Sequence, residues 1–91
     1  MEFEYDPAKS TTNLLKHGID FEEAQSVWED QNLVRFPIDY GGEKRWGVIS
    51  HYSGSRWVAV CTTRGNNTRI ISVRRATRKE AAFYDKKNND R

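Results

Sequence analysis

The chain is poor in the residues that staple small proteins or bind metals. Cys61 is its only cysteine, which excludes an internal disulfide framework and any metal site built on cysteine alone. The histidines, His17 and His51, stand far apart, and no E-x-x-H, H-x-x-H or D-x-D spacing accompanies them. The glycines form neither a phosphate-binding loop nor a dinucleotide-binding loop, and there is no G-x-S-x-G elbow. No apolar run approaches the roughly 20 residues needed to cross a bilayer. The first six residues, MEFEYD, are acidic where a secretory leader is basic and then apolar. A cytoplasmic protein without membrane contact is the expectation.

What is present is aromatic and charged. Aromatics make up 12% and charged residues 31% of the 91 residues, a share of aromatics too high for a disordered chain. The length predicts a single domain over residues 1–91. Charge is distributed unevenly. Residues 1–30 carry two Lys/Arg against eight Asp/Glu, a balance of −6, and residues 31–91 carry +8. Four arginines lie between Arg69 and Arg78. Such asymmetry points to an anionic partner for the second half, against the plainer reading of a solvated basic face balancing an acidic one.

The local signals alternate between periods. Phe3 and Tyr5 alternate with acids, as in a short strand. Asp6-Pro7 opens a helix that Gly18 closes, with Lys16 and His17 in its last turn. Asp20 caps a second helix with Glu23 three residues on, Ile19 stapled onto Ala24, and an apolar stripe of Phe21, Ala24, Val27 and Trp28. Residues 32–39, 45–52, 56–64 and 68–75 read as strands separated by Gly41-Gly42, Ser53-Gly54-Ser55 and Gly65-Asn66-Asn67. Thr77 and Glu80 form a capping box for a last helix, and residues 86–91 read as a frayed polar tail. The fold class is α+β: strand, two helices, a four-stranded largely antiparallel sheet and a C-terminal helix. The helix pair resembles a DNA-reading motif, but its second helix carries five acids and no Lys or Arg. It is expected to pack on the sheet through Leu14, Leu15, Phe21, Val27 and Trp28.

The chemistry concentrates between Arg64 and Glu80. Strand alternation places Arg69, Ile71, Val73 and Arg75 on one face and Ile70, Ser72 and Arg74 on the other. Arginine offers a planar, permanently charged fork that matches phosphate, and a rigid strand preorganises it. Where the anionic partner is RNA, cleaving it without a metal requires help in removing the ribose 2′-OH proton, stabilisation of the phosphorane and protonation of the departing 5′-oxygen. Arginines supply the second, and His17, Glu80 or Tyr84 could supply proton transfer. Each of those three has a structural alternative: a helix-dipole partner, a capping-box acid and a core aromatic. Cys61, in an apolar strand, reads as core rather than nucleophile. Trp46, Tyr52 and Trp57 could stack bases but read mostly as core.

The stretches FEYDPAK (3–9), NLLKHGIDFEEA (13–24), VWED (27–30) and RIISVRRATRKE (69–80), followed by Tyr84, resemble the signatures of the BrnT toxin family. The resemblance spans nearly the whole chain. It implies a RelE-like fold and an endoribonuclease toxin of a bacterial type II toxin–antitoxin module. It also implies a BrnA-like antitoxin that inhibits the toxin and alone contacts operator DNA. It favours Arg64 and Arg74 as phosphate-contacting or catalytic positions, and His17, Lys16 and Glu80 fall in matched stretches. The expected site therefore has Arg64, Arg74, His17 and Glu80 as catalytic residues and Lys16, Arg69, Arg75, Arg78 and Tyr84 as RNA contacts, with no cofactor and no metal. Trp28 stands where Phe is commoner, residues 41–52 follow the family loosely, and Val73 and Arg75 occupy variable positions. The alternative is a non-catalytic nucleic-acid-binding or protein-interaction module with a basic face.

Overall fold

The computed structural model describes residues 1–89. Helix α1 (Pro7–His17) has the ends its sequence predicts. The Asp6 carboxylate accepts from the Ala8 N–H at 2.9 Å, and Gly18, at φ 78°, returns its N–H to the Leu14 carbonyl. Its buried side chains differ from expectation. Leu14 and Leu15 are 45% and 83% exposed, and α1 buries Ser10 and Asn13 instead. The reason is where it docks: along the polar outer edge of a strand rather than on an apolar sheet face. The Asn13 amide donates to the Val73 and Ile19 carbonyls, both at 2.8 Å, and accepts from the Val73 N–H at 3.1 Å. One side chain thus occupies strand-edge groups that a neighbouring strand would otherwise pair.

The second helix is a 3₁₀ helix (Glu23–Glu29), not an α-helix. Phe21, Ala24 and Val27 are fully buried at a spacing of three, which suits three residues per turn. Asp20 caps this segment through the Glu23 N–H at 2.8 Å. The Glu23 carboxylate accepts instead from the Tyr52 hydroxyl at 2.9 Å.

The strands are β1 (Glu2–Glu4), β2 (Val34–Tyr40), β3 (Glu43–Tyr52), β4 (Ser55–Arg64) and β5 (Asn67–Arg75). They form one five-stranded sheet of order β1-β5-β4-β3-β2, not four strands. The first strand joins it in parallel beside β5, with Glu2–Glu4 against Asn67–Arg69; the other pairs are antiparallel. A three-residue strand carries no local sign of a partner more than sixty residues away. Between β4 and β5 the register slips: Val60 opposes Ser72 and Cys61 opposes Ile70, leaving Ile71 as an unopposed bulge residue.

Helix α2 (Arg78–Asn89) starts with both halves of the capping box, Thr77 N–H to Glu80 Oε1 at 2.8 Å and Glu80 N–H to Thr77 Oγ1 at 3.2 Å. It continues through Lys86 to Asn89, where a frayed tail was expected. The Asn88 amide holds that end by donating to the Asn32 and Tyr84 carbonyls. Asp90 and Arg91 lie outside the described residues.

One sheet face is covered. Ile19, Phe21, Ala24 and Val27 pack there on Val48, Trp57, Ala59, Ile70 and Val73. On the other, α2 covers one end, where Tyr84 meets Ile49 and Val58 beside Val34, Phe36 and Ala76. The Phe36 ring lies across Gly47, and a Cβ there would sit 2.2 Å from it, so this crossing requires glycine. Asp30 ties the layers together, accepting from the Tyr84 hydroxyl at 2.7 Å and from the backbone N–H groups of His51 and Asn32. Burial pushes the Asp30 carboxyl up, but these donors outweigh it and hold the pKa below the usual carboxylate value. Burial, and then the bond to Asp30, push the Tyr84 hydroxyl up to about 12.

Candidate functional site

The bulge at Ile71 decides which arginines meet. Unbroken alternation would separate Arg69 from Arg74. Instead, Arg69 opposes Thr62, Arg74 opposes Val58 and Arg64 opposes Asn67, all even-numbered positions of β4. One inserted residue therefore brings Arg64, Arg69 and Arg74 to the same, largely open face. Arg75 turns to the covered face, where it lies 5.1 Å from the Trp57 ring and donates to Ser55 Oγ at 2.9 Å. Arg78 is exposed at the start of α2.

Most of the open-face arginines hold a carboxylate. Arg74 grips Glu80 with two parallel bonds of 2.8 and 2.9 Å. That contact, against the opposing effect of burial, lowers the Glu80 carboxyl to about 2. Glu80 thus completes the capping box and anchors Arg74 at once. Arg69 pairs with Glu4 at 2.9 Å, and this bond, aided by Asn67, lowers the Glu4 carboxyl. Arg45 pairs with Glu43 at 3.2 Å, and Arg56 with Asp85 at 2.8 Å. Arg64 is exposed and has no carboxylate within ion-pair distance among the described residues; its charge is felt at Glu4.

Two adjoining recesses run from Arg64 across this face. The first, of about 200 Å³, is lined by Lys9, Glu43, Arg45, Thr62, Arg64, Arg69 and Ile71. The second, of about 270 Å³, shares Lys9 and Ile71 with it and adds Thr12, Asn13, Lys16, His17 and Ser72. Helix α1 is their common wall. Side by side along α1 they make a groove, with Arg64 and Arg69 lining its first part and Lys16 and His17 its second. Arg74 and Glu80 stand apart: six positions along β4 separate Arg64 from Val58, the residue opposite Arg74, about 20 Å of strand. Tyr84 is buried between α2, which carries it, and the sheet. Lys9 and Arg45 were not singled out from the sequence. The signal for Lys9 was present, since Lys9, Thr12 or Asn13, and Lys16 recur at i, i+3/i+4 and i+7 along one helix face.

Among the described residues, no group of three or more His, Cys, Asp or Glu side chains could hold a metal ion. Cys61 is buried, as its strand predicted, and burial raises its thiol against a lowering influence of Arg35.

Residues 5–80 match the family described as the ribonuclease toxin, BrnT, of type II toxin–antitoxin systems. The chain belongs to the BrnT family. Its role is therefore that of a toxin component, and an antitoxin protein is its implied partner. The matched BrnT span takes in α1, the strands β2–β5 and the Arg74–Glu80 pair, and ends in the first turn of α2. No curated protein matches the chain. Among the described residues no helix is long and apolar enough to cross a membrane. In this BrnT toxin the groove offers cations at fixed positions along a channel, an arrangement suited to a chain of phosphates.

Proposed function

We propose that the protein is a metal-independent endoribonuclease whose substrate strand lies in the groove between α1 and the open sheet face. Arg64, with Lys9 and Arg69 beside it, stabilises the crowded phosphorane formed when the ribose 2′-oxygen attacks the adjacent phosphorus. The bond from phosphorus to the 5′-oxygen then breaks. His17, on the α1 wall of that groove, transfers protons. Lys16 holds a neighbouring phosphate. Glu80, anionic and engaged at both oxygens, positions the Arg74 fork for a phosphate farther along the strand. Arg78 and Arg75 extend the positive field, and Tyr84 contributes by seating α2. A BrnA-like antitoxin neutralises the toxin and carries the operator-DNA contact. A RelE-like fold agrees with the element order.

The observation that carries this reading is Arg64: an arginine without a carboxylate partner among the described residues, at the end of β4, lining a cationic groove in a chain of a ribonuclease-toxin family. The test is incubation with mixed single-stranded RNA in excess chelator. Wild type should cleave. Arg64→Ala should lose about 10²–10³-fold in rate, the usual cost of removing one transition-state donor, with an unchanged melting temperature. Cleavage by a folded Arg64→Ala protein at the wild-type rate would remove Arg64 from the site, and cleavage only on adding a divalent metal would defeat metal independence.

A further inference from the structure

The ladder between β3 and β4 ends at the Trp46–Cys61 pair. Beyond it, β3 continues along β2 to Glu43, and β4 continues along β5 to Arg64. The sheet forks there into two hairpins. The fork encloses an open recess of about 380 Å³ lined by Glu43, Lys44, Trp46, Thr62, Thr63 and Arg64. One bond crosses it, from Thr62 Oγ1 to the Lys44 carbonyl at 2.8 Å. The volume lies at the small end of ordinary ligand pockets, roughly 300–1,000 Å³.

Trp46 is the tryptophan that the core does not use. Trp57 is buried and donates its Nε1–H to the Tyr52 carbonyl at 3.0 Å. Trp28 packs against the main core and meets Phe3 edge-on at 5.0 Å. Trp46 is half-buried, belongs to neither core cluster, and its Nε1 makes no hydrogen bond among the described residues. Its ring contact is the Arg35 guanidinium, 5.9 Å away. A solvent-accessible indole with a cation beside it is what single-stranded nucleic acids stack upon.

We propose that the fork is a nucleobase subsite in which a base of single-stranded RNA stacks on Trp46. Its polar edge meets the Thr62 and Thr63 hydroxyls and the backbone edges exposed where the strands part. Trp46 lies on the covered-face side of the strands and Arg64 on the open face, and both line the fork. Arg64 also borders the cationic groove, so a base in the fork and its phosphate at Arg64 belong to one nucleotide that passes through the fork. The proposal rests on RNA being the substrate. A base fits better than an inserted peptide strand, because the stretches beyond the end of the β3–β4 ladder run only from 43 to 45 and from 62 to 64.

Equilibrium binding tests the subsite separately from cleavage. The probes are fully 2′-O-methylated RNA, which lacks the attacking hydroxyl, and an abasic oligomer of equal length and charge. Wild type should bind the base-bearing strand about tenfold more tightly than the abasic one, the scale of one stacked base. Trp46→Leu, which keeps apolar bulk without a π-face, should abolish that difference, leave abasic binding intact and preserve the salt dependence. Trp46→Phe should restore part of it. Equal wild-type affinity for the two probes would overturn the subsite, as would a Trp46→Leu protein that retains the tenfold preference or loses both probes equally. The wild-type arm decides even if the variants do not fold. Failure of wild type to cleave any RNA would defeat the enzymatic reading while leaving these binding results to judge the fork.

Discussion

The two faces of the sheet come from the same five strands and are held in different ways. The covered face is apolar where it meets Ile19, Phe21, Ala24 and Val27, and its acids sit at the rim. Glu22 and Glu23 there accept from the hydroxyls of Tyr5 and Tyr52. The open face carries Arg45, Arg56, Arg64, Arg69 and Arg74, and among the described residues all but Arg64 hold a carboxylate. Hydrophobic burial supports one face, and charge pairing organises the other. Exposed ion pairs add only about 0–1 kcal/mol each. The open face can therefore lose a charge at little cost to the fold, whereas the covered face cannot lose a ring.

Three changes sharpen this comparison, beginning with the largest expected effect. Phe21→Ala removes a fully buried ring from the covered face and should destabilise by about 3–5 kcal/mol in urea unfolding. A loss below about 1 kcal/mol would mean that the covered face is not the stability core. Asn13→Leu keeps the volume but leaves the Val73 N–H and carbonyl and the Ile19 carbonyl without their partner. It should cost about 3 kcal/mol by the same assay, since each of the three stranded polar groups costs at least about 1 kcal/mol. An apolar replacement that stabilised the protein would refute the edge-pairing role.

The smallest effect belongs to the open face. The folded-state pKa of Glu80 is depressed to about 2. Its contribution is thus complete above the ordinary glutamate value and is lost as pH falls from there toward 2. Because the pair is partly exposed, the amount is on the order of 1 kcal/mol after solvent screening. Glu80→Gln should remove that part of the acid-dependent loss, visible as converging melting curves of the two proteins near pH 2. Curves that stay parallel between pH 5 and 2 would show that the Arg74–Glu80 pair contributes nothing to folding.

Much of the fold was legible because its signals are local. Asp6-Pro7 and Gly18 bracket α1, Thr77 and Glu80 open α2, and the glycine turns separate β2 from β3, β3 from β4 and β4 from β5. What misled was local patterning without its partner. Leu14 and Leu15 looked like a buried pair, yet the neighbour of α1 is a polar strand edge. Phe21, Ala24 and Val27 looked α-helical, yet their spacing of three belongs to a tighter helix.

The site was legible in its residue types and less so in its grouping. Arg64, Arg69, Lys16 and His17 converge on one groove, whereas Arg74 and Glu80 form a separate pair and Tyr84 is buried. Lys9 and Trp46 gained meaning only from what faces them across the fold.

By itself the sequence determined the order of the elements, their caps, the turns and the segregation of charge between the two parts of the chain. These follow from backbone preferences and composition, which act over a few residues. Tertiary structure alone decided that β1 closes the sheet beside β5, that Asn13 serves as a strand edge, and that the bulge at Ile71 swings Arg69 to the side of Arg64 and Arg74. A one-residue slip in register reverses every side chain beyond it, and register is set by partners distant in sequence.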